Sequence, residues 1–293
     1  MLARHGRLGL LLLSAGLAAI AGAWWLQRSF GPGGAALPAG AVIVAGGDAG
    51  GLPRADATAE GFERLPLQQA EAWAVARHAR ALLVSRHGHL VSEHYGHAER
   101  DSLFDGGELG DTVLQLAAAI AQARHGMVVT PEMQADPGRL AAAIAAASGR
   151  TYPQFLSRSI WQPLNAAPAQ WSRSGMRARG SDWLRVAELL LHDGRFEGTQ
   201  VVPAGVVQRF AHSRSAIGAE PFADDSMYRL RGPGATRLWL SPRFDLAILC
   251  VADASESPAL GADETRLPNM LVRALRDRPR SGGTSLNDLV PGH

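Results

Sequence analysis

This chain contains no lysine: the 29 residues counted as Lys+Arg are all arginine. That absence removes every chemistry that needs a titratable primary amine. There is no Walker A lysine, no lysine for a Schiff base and no lysine general base. Arginine does not substitute, because its guanidinium keeps its proton inside proteins. Cysteine is nearly absent too. The lone Cys250 excludes an intrachain disulfide, and its place in the apolar run DLAILCV reads as a small buried hydrophobe rather than a reactive thiol. His-Glu-x-x-His and Gly-x-Ser-x-Gly do not occur. The net charge is only +2, and the arginines are dispersed apart from small clusters at Arg173–Arg179 and Arg273–Arg280. A nucleic-acid binder concentrates its basic residues in a stripe, so no nucleic-acid partner is expected.

What is present is apolar. With 293 residues and 46% hydrophobic content, the chain can bury a sizeable core. Arg4 and Arg7 precede Leu8–Leu26, a run of 19 residues without a charge. A bilayer-spanning helix takes about 17–25 residues, and Trp24, Trp25 and Arg28 stand where interfacial anchors fall. Residues 1–28 are therefore expected to be a membrane anchor with a cytoplasmic N-terminus. The alternative is a cleaved signal peptide with Ala21-Gly22-Ala23 as its processing site. Residues 29–59 are rich in Gly, Ala and Pro and read as a flexible linker with at most one short strand at Ala41–Ala45. The folded body is expected over 60–277, followed by a disordered tail at 278–293.

Within the body, Pro66–Ala79 has helical spacing, with Leu67, Ala70, Ala74 and Val75 as core candidates. Ala81–Arg86 and Leu90–Tyr95 read as a hairpin around Gly88. Thr112–His125 is apolar nearly all round, which implies a buried helix; Asp111 is its expected cap and Gly126 its end. Helices are also expected at Arg139–Ser148, Tyr152–Trp161, Ser181–His192, Pro203–Phe210 and Glu264–Arg276, with strands at Arg237–Leu240 and Leu246–Val251. Strands open the body, helices fill its middle and strands return. That order predicts an α+β domain whose antiparallel sheet joins both ends of the chain.

Four segments carry a resemblance: the hairpin, LFDGGELGD and buried helix of Arg80–Gly126; SGRTYPQFLSRSIWQPLNA; RGSDWLRVAELLLHDGRFEGTQVVPAGVVQRF; and RGPGATRLWLSPRFDLAILCVAD. Together they resemble the serine β-lactamase and penicillin-binding-protein family, in its class C β-lactamase, esterase and carboxypeptidase branch. The resemblance implies a β-lactamase/transpeptidase-like fold, here truncated in the middle. It also implies a serine at the head of the buried helix, a lysine three residues on as its base, a Tyr-x-Asn group, and a Lys/His-Thr/Ser-Gly strand whose backbone N–H helps to form the oxyanion hole.

This chain departs from that pattern in three places. The nucleophile and base positions fall on Glu108 and Asp111, or on Leu109 and Thr112 if the gap moves into the loop. Between Gly126 and Gly149 lie only 22 residues, and the nearest remnant of the Tyr-x-Asn loop is Gln134-Ala135-Asp136. Arg231-Gly232-Pro233-Gly234-Ala235-Thr236 keeps the glycines but is expected to put Pro233 on the strand, where it removes a donor.

No catalytic residue is therefore assigned. Glu108 and Asp111 are read as helix-capping charges that complement the dipole. The binding candidates are Trp171, Arg173 and Arg177, in a stretch expected to be irregular beside the cleft, with Gly232, Gly234 and Thr236. Trp161, Trp183 and Trp239 are expected in cores. His87, His89, His94 and His97 crowd one hairpin, but strand alternation separates them, so no metal site is expected. No cofactor is expected either. The resemblance and the N-terminus together imply a bacterial inner-membrane protein with a periplasmic domain, or a periplasmic one if the leader is cleaved. The expected role is a catalytically degenerate binding or scaffolding module near the cell wall. Its expected partners are the membrane through the N-terminal helix, and peptidoglycan fragments or an envelope protein. The alternative is an active serine hydrolase of esterase, β-lactamase or peptidase type, using another serine such as Ser102 or Ser85.

Overall fold

The computed structural model describes residues 37, 40–48, 50–208, 220–221 and 227–277. The chain runs from β1 (Val42–Val44) and α1 (Arg64–Val75) into the hairpin β2 (Ala81–Arg86) and β3 (His89–Tyr95), then β4 (Leu103–Asp105) and the long helix α2 (Glu108–His125). Next come α3 (Pro131–Gln134), α4 (Pro137–Ser148) and α5 (Tyr152–Leu156), the last widening into a π turn at Ser157–Trp161. A second hairpin, β5 (Ala169–Ser172) and β6 (Gly175–Arg179), leads to α6 (Gly180–Leu191) and the short pair β7 (Arg195–Phe196) and β8 (Thr199–Gln200). The remaining described elements are β9 (Glu220–Pro221), β10 (Tyr228–Arg231), β11 (Arg237–Ser241), β12 (Leu246–Val251), α7 (Pro258–Ala262) and α8 (Arg266–Arg273).

β2 and β12 are buried at every position because both faces of their sheet are covered. The sheet has six strands in the order β3-β2-β12-β11-β10-β9, and its pairs are antiparallel. Strand alternation divides its side chains between two cores. Leu83 and Leu249 point into the larger one, with Leu116 and Ile120 of α2 and Leu184 of α6. Leu82, Val84, Ile248 and Cys250 point the other way, onto Leu67 and Ala70 of α1 and Leu267 and Leu271 of α8. Each such leucine or isoleucine contributes roughly 1.5–3 kcal/mol of burial. Burial also pushes the Cys250 thiol up to about 12, so the thiolate is suppressed. The expected α+β class and the sheet that joins both ends of the chain are what the structure has.

A second sheet, β1-β5-β6-β4, carries the entrance to α2. Its β1 falls within the short strand expected at Ala41–Ala45, whereas the stretch from Trp171 to Arg179, expected to be irregular, lies in a hairpin. The linker expectation changes as well. β1 pairs with β5 over Val42–Val44, Val44 and Leu52 are buried in the larger core, and the Gly47 N–H donates to Ala166 O at 2.8 Å. The second half of 29–59 is thus part of the fold.

Several boundaries move for local reasons. α2 begins at Glu108, so Asp111 sits inside its first turn and the cap position is Gly107. Asp136 caps α4 through the N–H groups of Gly138 and Arg139, starting that helix at Pro137. Trp73 is buried in α1, whereas Val75 is 42% exposed, contrary to its place among the core candidates. Trp161, Trp183 and Trp239 are buried as expected. Pro233 lies in the β10–β11 turn rather than on the strand, with the Thr236 N–H donating to Pro233 O at 3.2 Å. It therefore takes no donor out of the ladder. Among the described residues no helix is long and apolar enough to cross a membrane. The expected anchor (1–28), the tail (278–293) and the end of the expected helix at Pro203–Phe210 lie outside the described residues.

Candidate functional site

The head of α2 is where the family comparison directs attention, and its approach is built from β4. Phe104 and Asp105 pair with Ala178 and Arg177 of β6, and the Trp183 indole N–H of α6 donates to Phe104 O at 3.1 Å. Asp105 Oδ1 accepts the Gly107 N–H at 3.0 Å, shaping the turn into the helix. Two glycines then let the backbone pass between α6 and β10. A Cβ on Gly106 would lie 2.6 Å from the Trp183 ring. One on Gly107, which has φ +51°, would lie 2.8 Å from Arg231 O.

Glu108 emerges from this turn directly onto β10. Its Oε2 accepts the Arg231 backbone N–H at 2.6 Å. The carboxylate therefore occupies a backbone donor at the end of β10. The space behind it is a void of about 10 Å³ lined by Leu109, Trp183, Leu230, Gly232 and Thr236, room for one water at most. Thr236 is engaged elsewhere: its Oγ1 accepts the Ala252 N–H at 3.2 Å and lies 3.3 Å from Ala252 O. Gly234 lies in the β10–β11 turn at φ +65°.

Asp111 faces a different space. A cavity of about 110 Å³ is lined by Asp111, Leu114, Gly138, Trp171, Arg173 and Met176, among others. Desolvation against this wall, with the Asp105 charge second, holds the Asp111 carboxyl above the usual carboxylate range. Tyr152 backs Trp171, with ring centroids 5.0 Å apart. The structure thus brings Trp171 and Arg173 together with Asp111. It does not bring Arg177 there: that guanidinium donates to Leu103 O at 3.1 Å across β4. Gly232 and Thr236 belong to the small void instead. Asp111 lines the larger of these two spaces, whereas Glu108 is turned onto β10.

Ser85 and Ser102, the two serines named for the alternative reading, are both engaged in hydrogen bonds. Ser85 is fully buried and donates to Glu188 Oε1 at 2.6 Å. Ser102 Oγ accepts the Glu99 N–H at 2.9 Å in the loop before β4. The histidines of the first hairpin do not all separate, contrary to the expectation from alternation. His87 and His89 both meet Glu60, at 2.8 and 2.9 Å, while His97 stacks with His78.

A second polar cluster, which the sequence reading did not single out, lies at the far end of α6. Glu188 and His192 are one turn apart on that helix, and His192 Nε2 reaches Asp245 Oδ1 of the β11–β12 turn at 3.1 Å. The hydrogen bond to Asp245 raises the His192 imidazole to about 9, and it holds the Asp245 carboxyl low. Burial pushes Glu188 the other way, above its ordinary value. This cluster borders a cavity of about 410 Å³, which falls within the roughly 300–1,000 Å³ common for small-molecule sites. The legible signal was the Glu-x-x-x-His spacing; Asp245 had none.

No protein-family model matches the chain, and no curated protein matches it in sequence. Solved structures do match its fold. A protein described as a 6-aminohexanoate-dimer hydrolase from Bacillus anthracis aligns with a TM-score of 0.57 at 12% identity, over 80% of this chain and 89% of that one. One described as a β-lactamase from Bacteroides dorei gives 0.53 at 12% identity, over 71% and 99%. The octameric penicillin-binding protein homologue from Pyrococcus abyssi gives 0.52 at 9% identity, over 71% and 79%. The fold is that of the serine β-lactamases and penicillin-binding proteins.

Replacing Glu108 by Ala removes the acceptor at the Arg231 N–H and is expected to cost about 1–3 kcal/mol of stability. Glu108→Gln keeps an oxygen there and should retain most of it. Urea unfolding of the two variants checks this; an Ala variant as stable as the parent contradicts it. A second expectation concerns pH. Because the native pKa of His192 is raised, its contribution is complete below the ordinary value of 6.5 and is lost as pH rises through about 9. The melting temperature should fall more steeply over that window in the parent than in His192→Gln, and parallel curves would contradict it.

Proposed function

We propose that this chain is a β-lactamase-related protein of the bacterial envelope that has lost acyl-transfer catalysis and acts as a binding or scaffolding module near the cell wall. The observation that carries this reading is the Glu108 carboxylate on the Arg231 N–H. Acyl transfer in this fold needs a nucleophile at that helix head and unoccupied donors for the developing oxyanion. An anion seated on a strand donor opposes both. The absence of any lysine removes the family's base from the whole sequence.

Export is supported by the N-terminal sequence: Arg4 and Arg7 ahead of the uncharged run Leu8–Leu26 direct the body across the inner membrane. The binding surface is assigned to the cavity of about 110 Å³ between Trp171, Arg173 and Asp111. An exposed arginine beside an indole face suits a carboxylate-bearing peptide, and peptidoglycan stem peptides carry such groups. An envelope protein presenting a similar terminus is the other partner class.

Labelling the purified full-length protein with fluorescent penicillin and with a fluorophosphonate is expected to give no covalent adduct, while a penicillin-binding control labels fully. A stoichiometric adduct would overturn the proposal in favour of an active hydrolase. Muropeptides should raise the melting temperature of the parent but not of an Arg173→Ala variant. No shift with either protein would reduce the role to scaffolding without a cell-wall ligand.

A further inference from the structure

We infer that Glu188, His192 and Asp245 form a binding site for a divalent transition-metal ion of the zinc class, with its open side on the cavity of about 410 Å³ beside β2, β3 and α6. This site is separate from the head of α2. Trp183, which touches that head, lies nine residues before His192 on α6, about 13 Å of helical rise.

The geometry comes from the C-terminal end of α6 and two β-turns, which meet at one end of the strands of the six-stranded sheet. Glu188 and His192 share a face of the last turns of α6. Asp245 is held in the β11–β12 turn at φ +46°, and its backbone oxygen accepts the His87 N–H of the neighbouring β2–β3 turn at 3.0 Å. One donor atom from each of the three side chains lies within 4.8 Å of the others. The pair His192 Nε2 and Asp245 Oδ1, 3.1 Å apart, is already close to the spacing of about 3.4 Å between ligands of a tetrahedral zinc with bonds near 2.0–2.1 Å.

A second, independent observation points to a cation. Glu188 has a side chain only 3% exposed; Ser85 donates to its Oε1, and its Oε2 is buried without a hydrogen-bond partner, 3.6 Å from His192 Nδ1. A buried carboxylate oxygen that accepts no hydrogen bond keeps an open position for a cation. The surroundings also provide the outer-shell contacts that metal ligands carry. Ser85 orients one oxygen of Glu188 and leaves the other for the ion. His192 Nδ1 lies 2.9 Å from Glu188 O, which favours a proton on Nδ1 and a ligating lone pair on Nε2.

The donor set selects the class of ion. One imidazole nitrogen with two carboxylates suits zinc and its neighbours, whereas calcium and magnesium favour all-oxygen shells. Two carboxylates neutralise a dication. Three protein ligands leave a coordination position directed at the cavity, whose wall includes His87, His89 and Arg195, so a water or a small anionic ligand can complete the shell.

The test uses the full-length protein in detergent, stripped with chelator and titrated with zinc chloride at pH 8 by calorimetry and thermal melting. Expected are one zinc per chain and a raised melting temperature, with calcium and magnesium at equal concentration giving neither. His192→Ala and Asp245→Asn each change a partly exposed position. Each should weaken zinc binding at least about tenfold, while their metal-free melting curves report that they fold. His94→Ala combined with His97→Ala should leave binding unchanged. The inference is overturned if no zinc binds, if the His192 and Asp245 variants bind as the parent does, or if the His94/His97 variant abolishes binding.

Discussion

The structure turns on how the first turn of α2 seats against the end of β10. Helix α2 is apolar on almost every face and forms the centre of the larger core, so its axial position sets the packing of α4, α6 and the sheet. That position is fixed where Gly106 and Gly107 let the backbone touch the Trp183 ring and the Arg231 carbonyl. Glu108 closes the contact through the Arg231 N–H. A serine side chain ends one bond beyond Cβ and cannot span the same gap from the same backbone. Glu108 therefore ties helix to sheet, and does so with an anion at the positive end of the helix dipole, where negative charge is favoured.

Helix α6 is the second organising element, and its two ends face different problems. At its start, Asp182 is buried. Desolvation pushes its carboxyl up to about 6 despite the Arg185 guanidinium beside it, and it accepts the Ala167 N–H at 3.2 Å. A buried ion pair of this kind contributes little net stability but is expensive to break on one side, so it fixes geometry more than it adds free energy. Trp183 then anchors β4 and hence the approach to α2. At the other end, Glu188 and His192 hold the turns of the sheet. One helix thus connects the approach to α2 with the polar cluster at its other end, through a rigid segment rather than a loop.

How much of this was legible in the sequence follows from the range of the interactions. β2, β12 and most helices were readable because their signals are local: β-branched or leucine-rich runs, glycine after a helix, proline in a first turn. The second sheet was readable only at β1, inside the short strand expected at Ala41–Ala45. β4 has three residues, too few for periodicity, and β5 and β6 are short, although Ser174-Gly175 marks the turn between them. Such strands exist only because their partners are present. The start of α2 was misplaced because Glu108 and Asp111 both suit a first turn, and only the seating on β10 decides between them. Of the candidate binding residues, Trp171 and Arg173 meet at one cavity, whereas Arg177, two positions beyond Gly175 on β6, is turned to β4 by the pleat.

The position of Pro233 changes the weight of the family comparison. On a strand it would have removed a ladder donor and stood as an independent lesion. In the β10–β11 turn it leaves the ladder intact, with Arg231 still opposite Arg237. The proposed loss of acyl transfer then rests on the head of α2 and on the short stretch before α4. Those two are linked in space: the short connection lets α4 pack closely on α2 and bring Gly138 to the wall beside Asp111. On the proposed reading, a serine and a lysine alone would not supply acyl transfer: the Arg231 N–H would also have to be vacated and the helix head moved off β10. That second change works against the packing of Gly106 on the Trp183 ring, so the seating of the helix and the state of the site are one constraint.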